Sequence, residues 1–269
     1  MCVTFGKSHM EKTWIFSWIN QRTGDHCCIY RNKVASQDGP NAMLIHVPTS
    51  RMLTRENMID PGWCEKVDSE ISSAYTLLYA SAGGDALVFE SGEYHVVSAD
   101  SVTAISAALD RVPAEKRPTL NEKLLAWYEK NMPNHRFLLA CFNQSKLTHA
   151  RPFGYWYTPR PELKDVLVVP MLDAHDGDPP TDGPVGRDHT VYFGLQPARS
   201  ARSWIYWDKF NWSEDLDPEG WYGLPGYVGE REIRGEYPNG DLVLSEDHVY
   251  LKESEDRGSE IPEGVFARV

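Results

Sequence analysis

The chain has 269 residues, 41% of them hydrophobic and 25% charged, with a formal charge of −12. That composition supports a folded core and excludes a globally disordered chain. The acidic excess excludes a general nucleic-acid or anionic-membrane binder, because such surfaces need cations to displace counterions.

No stretch approaches the ~20 apolar residues of a membrane-spanning helix. The opening residues, MCVTFGKSHM, lack the charged start and apolar run of a signal peptide. The cysteines, Cys2, Cys27, Cys28, Cys64 and Cys141, are odd in number and irregular in spacing. No pair has the C-x-x-C spacing of a zinc or redox motif, so buried free thiols in a reducing, cytoplasmic compartment are expected.

In chain order, Trp14, Phe16 and Trp18 alternate with Ile15, Ser17 and Ile19, which puts three aromatics on one face of a strand. Asn20–Asp25 suits a turn, and His26–Tyr30 a returning strand. Met43–Val47 is a short strand stopped by Pro48. From Asp68 to Ser81, Ile71, Ala74, Tyr75 and Leu78 share a helical face, ended by Gly83-Gly84. Ala86–Phe89 and Tyr94–Val97 flank Ser91-Gly92 as a hairpin. Ser101–Leu109 reads as a helix capped by Asp100, and Thr119-x-x-Glu122 as a capping box opening another.

Phe137–Phe142, Val166–Leu172 and Thr190–Leu195 are apolar runs of the kind that forms buried central strands. Ser203–Trp207 suits a strand nearer an edge. Ile233–Tyr237 and Leu242–Leu244 flank Pro238-Asn239-Gly240, which predicts a hairpin with a primed turn. His248–Leu251 adds one more strand. The expected fold is α+β, a mainly antiparallel sheet with a few helices packed on it, in a single domain over 1–251. Residues 252–269 are expected to form an acidic, flexible tail. The Pro- and Gly-rich segment Asp178–Arg187 reads as a loop inside the domain.

Three sets of residues suit chemistry or binding. Asp173, His175 and Asp178 follow the run Val166–Leu172, and Asp188-His189 precede Thr190–Leu195. If the two strands are neighbours, both acid/imidazole pairs meet at one sheet rim. Asp173, His175, Asp178 and Asp188 would then bind a divalent metal, with His189 as general base oriented by Asp188, in a hydrolase or phosphoesterase. Against this stands good turn chemistry in Asp176-Gly177-Asp178-Pro179-Pro180.

The second is Cys2. Removal of Met1 would leave its thiol beside a free α-amine, the arrangement used by N-terminal-nucleophile amide hydrolases. The third is aromatic: Trp204, Trp207, Trp212, Trp221 and Tyr222 lie among acidic residues. Residues 1–212 carry 24 acidic and 22 basic side chains, whereas residues 213–269 carry 15 and 5. Indole faces beside carboxylates suit a protein partner with a basic surface, or a sugar. A binding role on this third set is the leading expectation. The two hydrolase readings are the alternatives.

Overall fold

The computed structural model describes residues 2–75, 90–91, 94–195, 206–245 and 266–269. Its strands are β1 (Cys2–Thr4), β2 (Ser8–Ile19), β3 (His26–Ser36), β4 (Asn41–Val47), β5 (Met58–Ile59), β6 (Glu90–Ser91), β7 (Tyr94–Ala99), β8 (Arg136–Phe142), β9 (Thr148–His149), β10 (Phe153–Tyr157), β11 (Leu167–Val169), β12 (Asp173–Ala174), β13 (Pro184–Gly194), β14 (Tyr206–Lys209), β15 (Tyr227–Pro238), β16 (Asp241–Leu244) and β17 (Phe266–Ala267). The helices are α1 (Pro61–Tyr75), α2 (Val102–Leu109) and α3 (Glu122–Asn131). The architecture is α+β, and its sheets are mainly antiparallel.

One sheet runs β12-β1-β4-β8-β7-β6 and a larger one β14-β15-β13-β2-β3-β10-β5, with β9 beside β3; β11-β16-β17 form a small third sheet. Among the described residues, only β1·β12 and β13·β2 pair in parallel. Side-chain alternation explains how the layers stack. In β2, Ile15 enters the core shared by the sheets, while Trp14, Phe16 and Trp18 face α1. In β4 and β8, Met43, Ile45, Leu138 and Ala140 face that shared core. Their neighbours Leu44, Leu139 and Cys141 face α2 and α3. β4 and β8 are therefore buried on both sides, which is why they read as largely apolar runs, interrupted in β4 by His46.

Helix α1 sits close against β10 at Gly154, where a Cβ would come within 2.8 Å of Cys64 Sγ. Two ion pairs hold the helix, Arg31–Asp68 at 2.6 Å and Arg151–Glu65 at 2.5 Å.

Several local expectations are corrected. α1 starts at Pro61 rather than Asp68. The cap of α2 is Ser101, whose hydroxyl accepts the Ala104 N–H, not Asp100. The cap of α3 is Asn121, accepting the Leu124 N–H, so the Thr119/Glu122 box does not form. The Pro238-Asn239-Gly240 hairpin is also absent. β15 pairs with β13 and β14, whereas β16 pairs with β11 and β17. The Asn239 side chain explains this: it is spent on a distant strand, accepting the Asp173 N–H and donating to the Asp173 carbonyl.

The strand expected at His248–Leu251, the strand at Ala86–Phe89 and the helix stop at Gly83-Gly84 lie outside the described residues. Of the segment expected to be a tail, residues 266–269 are described, and Phe266–Ala267 pair with Asp241–Leu242. Among the described residues, no helix is long and apolar enough to cross a membrane.

Candidate functional site

The parallel register Cys2↔Asp173 brings the first strand to the loop that carries the acid/imidazole residues. The loop is tied down locally. The Ser8 N–H donates to the His175 carbonyl, and the Asn121 amide donates to the Gly177 carbonyl. Gly177 has φ +88°, and a Cβ there would sit 2.9 Å from the Phe5 carbonyl oxygen, so only glycine fits without strain.

Within this rim the Asp173 carboxylate bonds His175 Nε2 at 2.7 Å. Asp173 is buried and His175 is 30% exposed at its side chain. Burial opposes ionisation of Asp173, but nearby positive charge, together with the bond to His175, outweighs it and holds the carboxyl well below the usual carboxylate range. His189 is buried beside them, and Asp173 interacts with it electrostatically. Burial pushes the His189 imidazole far down, so it is neutral near pH 7. Its Nδ1 accepts the Asp188 N–H.

Asp188 does not join them. Successive strand residues point to opposite faces, and its side chain is 55% exposed. It accepts the Lys12 N–H at a β-bulge of β2, where Lys12 adopts φ +50°, and lies 3.7 Å from Arg234. Asp178 is exposed on the loop, its N–H bonded to the Asp176 carboxylate. The four carboxylate and imidazole ligands expected for a metal therefore do not assemble. Among the described residues, no three His, Cys, Asp or Glu side chains are grouped as an ion requires.

The aromatic set divides. Trp204 lies outside the described residues, and Trp207 is described only through its backbone pairing with Gly229. Trp212 is half-buried between Phe210 and Phe16, at centroid distances of 4.2 and 5.8 Å, and its indole N–H donates to the Pro225 carbonyl. The Tyr222 ring lies 4.2 Å from that of Trp63. Among the described side chains of the set, Trp221 alone is open to solvent, at 72% exposure.

The loop that carries Trp221 is fastened from below. Trp63 Nε1 donates to the Leu216 carbonyl, and Trp18 Nε1 to that of Tyr222. Arg22 donates to the carbonyls of Glu219 and Gly220, and Asn20 to that of Trp221. Gly223, with φ +51°, passes so close to Asn20 that a Cβ would lie 2.3 Å from Oδ1. The exposed carboxylates of Glu214, Asp215 and Glu219 share this loop, and Glu219 accepts the Trp221 indole N–H.

A third polar cluster is wholly internal and was not singled out from the sequence. Asp241 Oδ2 meets His46 Nε2 at 2.5 Å, and Oδ1 accepts the Met171 and Leu172 N–H groups. The His135 ring lies 5.5 Å from that of His46, and neither of its nitrogens has a hydrogen-bond partner among the described residues. Buried Arg187 donates to the carbonyls of Met171, Pro238 and Gly240. The only signal in the sequence was a run of turn-type polar residues, Asn239-Gly240-Asp241, directly before an apolar strand.

No family model and no curated protein matches this sequence. Among solved structures, the chain is similar to baculovirus P35, with a TM-score of 0.48 and 13% identity, over 91% of this chain and 99% of that one.

Proposed function

We propose that this is a non-catalytic binding protein whose contact surface is the loop from Phe210 to Gly226, with Trp221 at its centre. The observation that supports this reading is a largely exposed tryptophan on a backbone already held in place by Trp18, Asn20, Arg22 and Trp63. A loop fixed before binding loses little entropy on binding, and exposed indoles are favoured anchors. The neighbouring Glu214, Asp215 and Glu219 set the partner's chemistry as cationic. An arginine laid on the indole gains ~0.5–2 kcal/mol, and the carboxylates steer it there.

The test is a fluorescence-anisotropy titration with a labelled nona-arginine peptide at low and moderate salt. Saturable binding that weakens with salt is expected for the wild type. Trp221→Ala should bind about tenfold less tightly, with a melting temperature changed little because the side chain is largely exposed. No saturable binding, or an equally tight Trp221→Ala variant, overturns the reading. Binding of an uncharged oligosaccharide in place of the peptide would assign the same indole to a sugar.

A second reading is favoured by one register. Cys2 pairs with Asp173, beside His175 and His189, so the two catalytic sets expected separately share one rim. Amide hydrolysis by Cys2 requires loss of Met1, with His175, oriented by Asp173, as the base for the thiol. Intact mass of the purified protein should then be short by one methionine. Retention of Met1 removes this reading.

A further inference from the structure

The segment Phe266–Val269 makes more specific contacts than a loose end requires. Phe266 and Ala267 pair antiparallel with Leu242 and Asp241 at the free edge of β16. The Phe266 ring lies 5.6 Å from that of Tyr237, with the Arg187 guanidinium 5.2 Å from its centroid. Arg268 lies 5.0 Å over the Trp127 ring of α3, bonds Asp182 at 2.6 Å and donates to the Thr181 carbonyl. Gly240 is built for this approach, since a Cβ there would come within 2.9 Å of the Ala267 backbone. The seat thus reads an extended strand, an aromatic ring and, two residues on, a guanidinium.

Covalently, the same segment is held at a distance. Antiparallel neighbours are usually joined by two to five residues. Here residues 245–265 separate β16 from β17. The ladder is two residues long and its side chains remain partly exposed. A ladder so short, with partly exposed side chains, has few contacts to break on leaving its seat.

We propose that β16, Tyr237, Arg187, Trp127 and Asp182 form a peptide-binding groove for extended aromatic-x-arginine segments, occupied in this chain by its own Phe266–Arg268 as a detachable strap. Strand addition supplies affinity through the backbone, while the ring and guanidinium seats supply specificity. In the wild type the tethered strap competes at high effective concentration. A ligand of this chemistry gains access when the strap lifts.

The probe is a fluorescein-labelled peptide with the sequence of residues 264–269, titrated against the full chain carrying Phe266→Ala and Arg268→Ala. Saturable binding is expected, at least tenfold weaker for a peptide with the same two alanines, and at least tenfold weaker for the wild-type chain. Absence of binding to a variant with a wild-type near-ultraviolet spectrum overturns the proposal, and so does unfolding of the variant. Hydrogen exchange on the wild type gives an independent measure. The β17 amides should exchange at least tenfold faster than those of β11 on the other edge of β16, and equal protection overturns the detachable strap. This groove and the Trp221 loop share no residue, so each test fails or succeeds without the other.

Discussion

Lowering the pH from 7 to 4 is expected to remove several kcal/mol of folding stability, most of it before the ordinary carboxylates titrate. The cause is a set of imidazoles buried in neutral form. Burial pushes His26 down to about 4 and His135 down to about 3, and it drives His189 well below its ordinary value. In the unfolded chain all three take up a proton near the ordinary value of 6.5, so below that pH the unfolded state binds more protons and stability falls. The loss for each continues until its own folded pKa is reached. By pH 4, His26 and His135 each cost on the order of 3 kcal/mol at about 1.4 kcal/mol per unit. Asp68 and Glu230, raised by burial, act in the opposite sense over part of the same range. Asp173 and Asp241, both held low, add their loss only as pH falls below the ordinary carboxylate range. Urea midpoints measured at half-unit steps should fall steadily below pH 6.5. His135→Gln should flatten the slope, and a midpoint that is level from pH 7 to pH 4 would contradict the account.

The second large effect is expected at Asp241. Burial opposes its charge, yet His46 and the Met171 and Leu172 N–H groups hold the carboxyl low. Asp241→Ala strands two buried backbone donors and a buried imidazole together. Truncating one partner of such a pair costs ~3–5 kcal/mol. Asp241→Asn keeps an oxygen for the backbone donors and should lose less. Urea unfolding with an unchanged denaturant slope gives the difference directly. An alanine variant within 1 kcal/mol (roughly the worth of a single ordinary hydrogen bond) would show that the cluster is not what joins the third sheet to β4.

What could be read from the sequence follows from the range of the forces involved. β2 was legible because its alternation reports which face each side chain buries, and Trp14, Phe16 and Trp18 do share one face against α1. The runs at β4 and β8 are legible because a strand buried on both sides is mostly apolar, although β4 also buries Asn41 and His46. Helix starts were less so: Asp100 and Ser101 are both competent caps, and packing of the helix face decides between them. The Pro238-Asn239-Gly240 pattern predicts a hairpin that does not form, because the Asn239 side chain serves a distant strand and not its own turn. Its amide instead satisfies the backbone of Asp173, at a separation of 66 residues. The rim was half legible. His189 does come near Asp173 and His175, but strand alternation sends Asp188 to the other face. Arg187, His46 and His135 gave no pattern, since a buried polar residue looks like an exposed one until its partners are known.

The parallel pairing of β2 with β13 imposes an order of events on synthesis. Thr13 faces His189 and Trp18 faces Gly194, so this edge of β2 stays open until most of the chain has left the ribosome. A ribbon of β2 and β3 formed during that interval would offer Trp14, Phe16 and Trp18 on one side and unpaired amides along its border. Such a ribbon is a ready template for wrong pairings between nascent chains. The yield of native protein should therefore depend on how quickly translation reaches residue 194, and on whatever shields that border in the meantime.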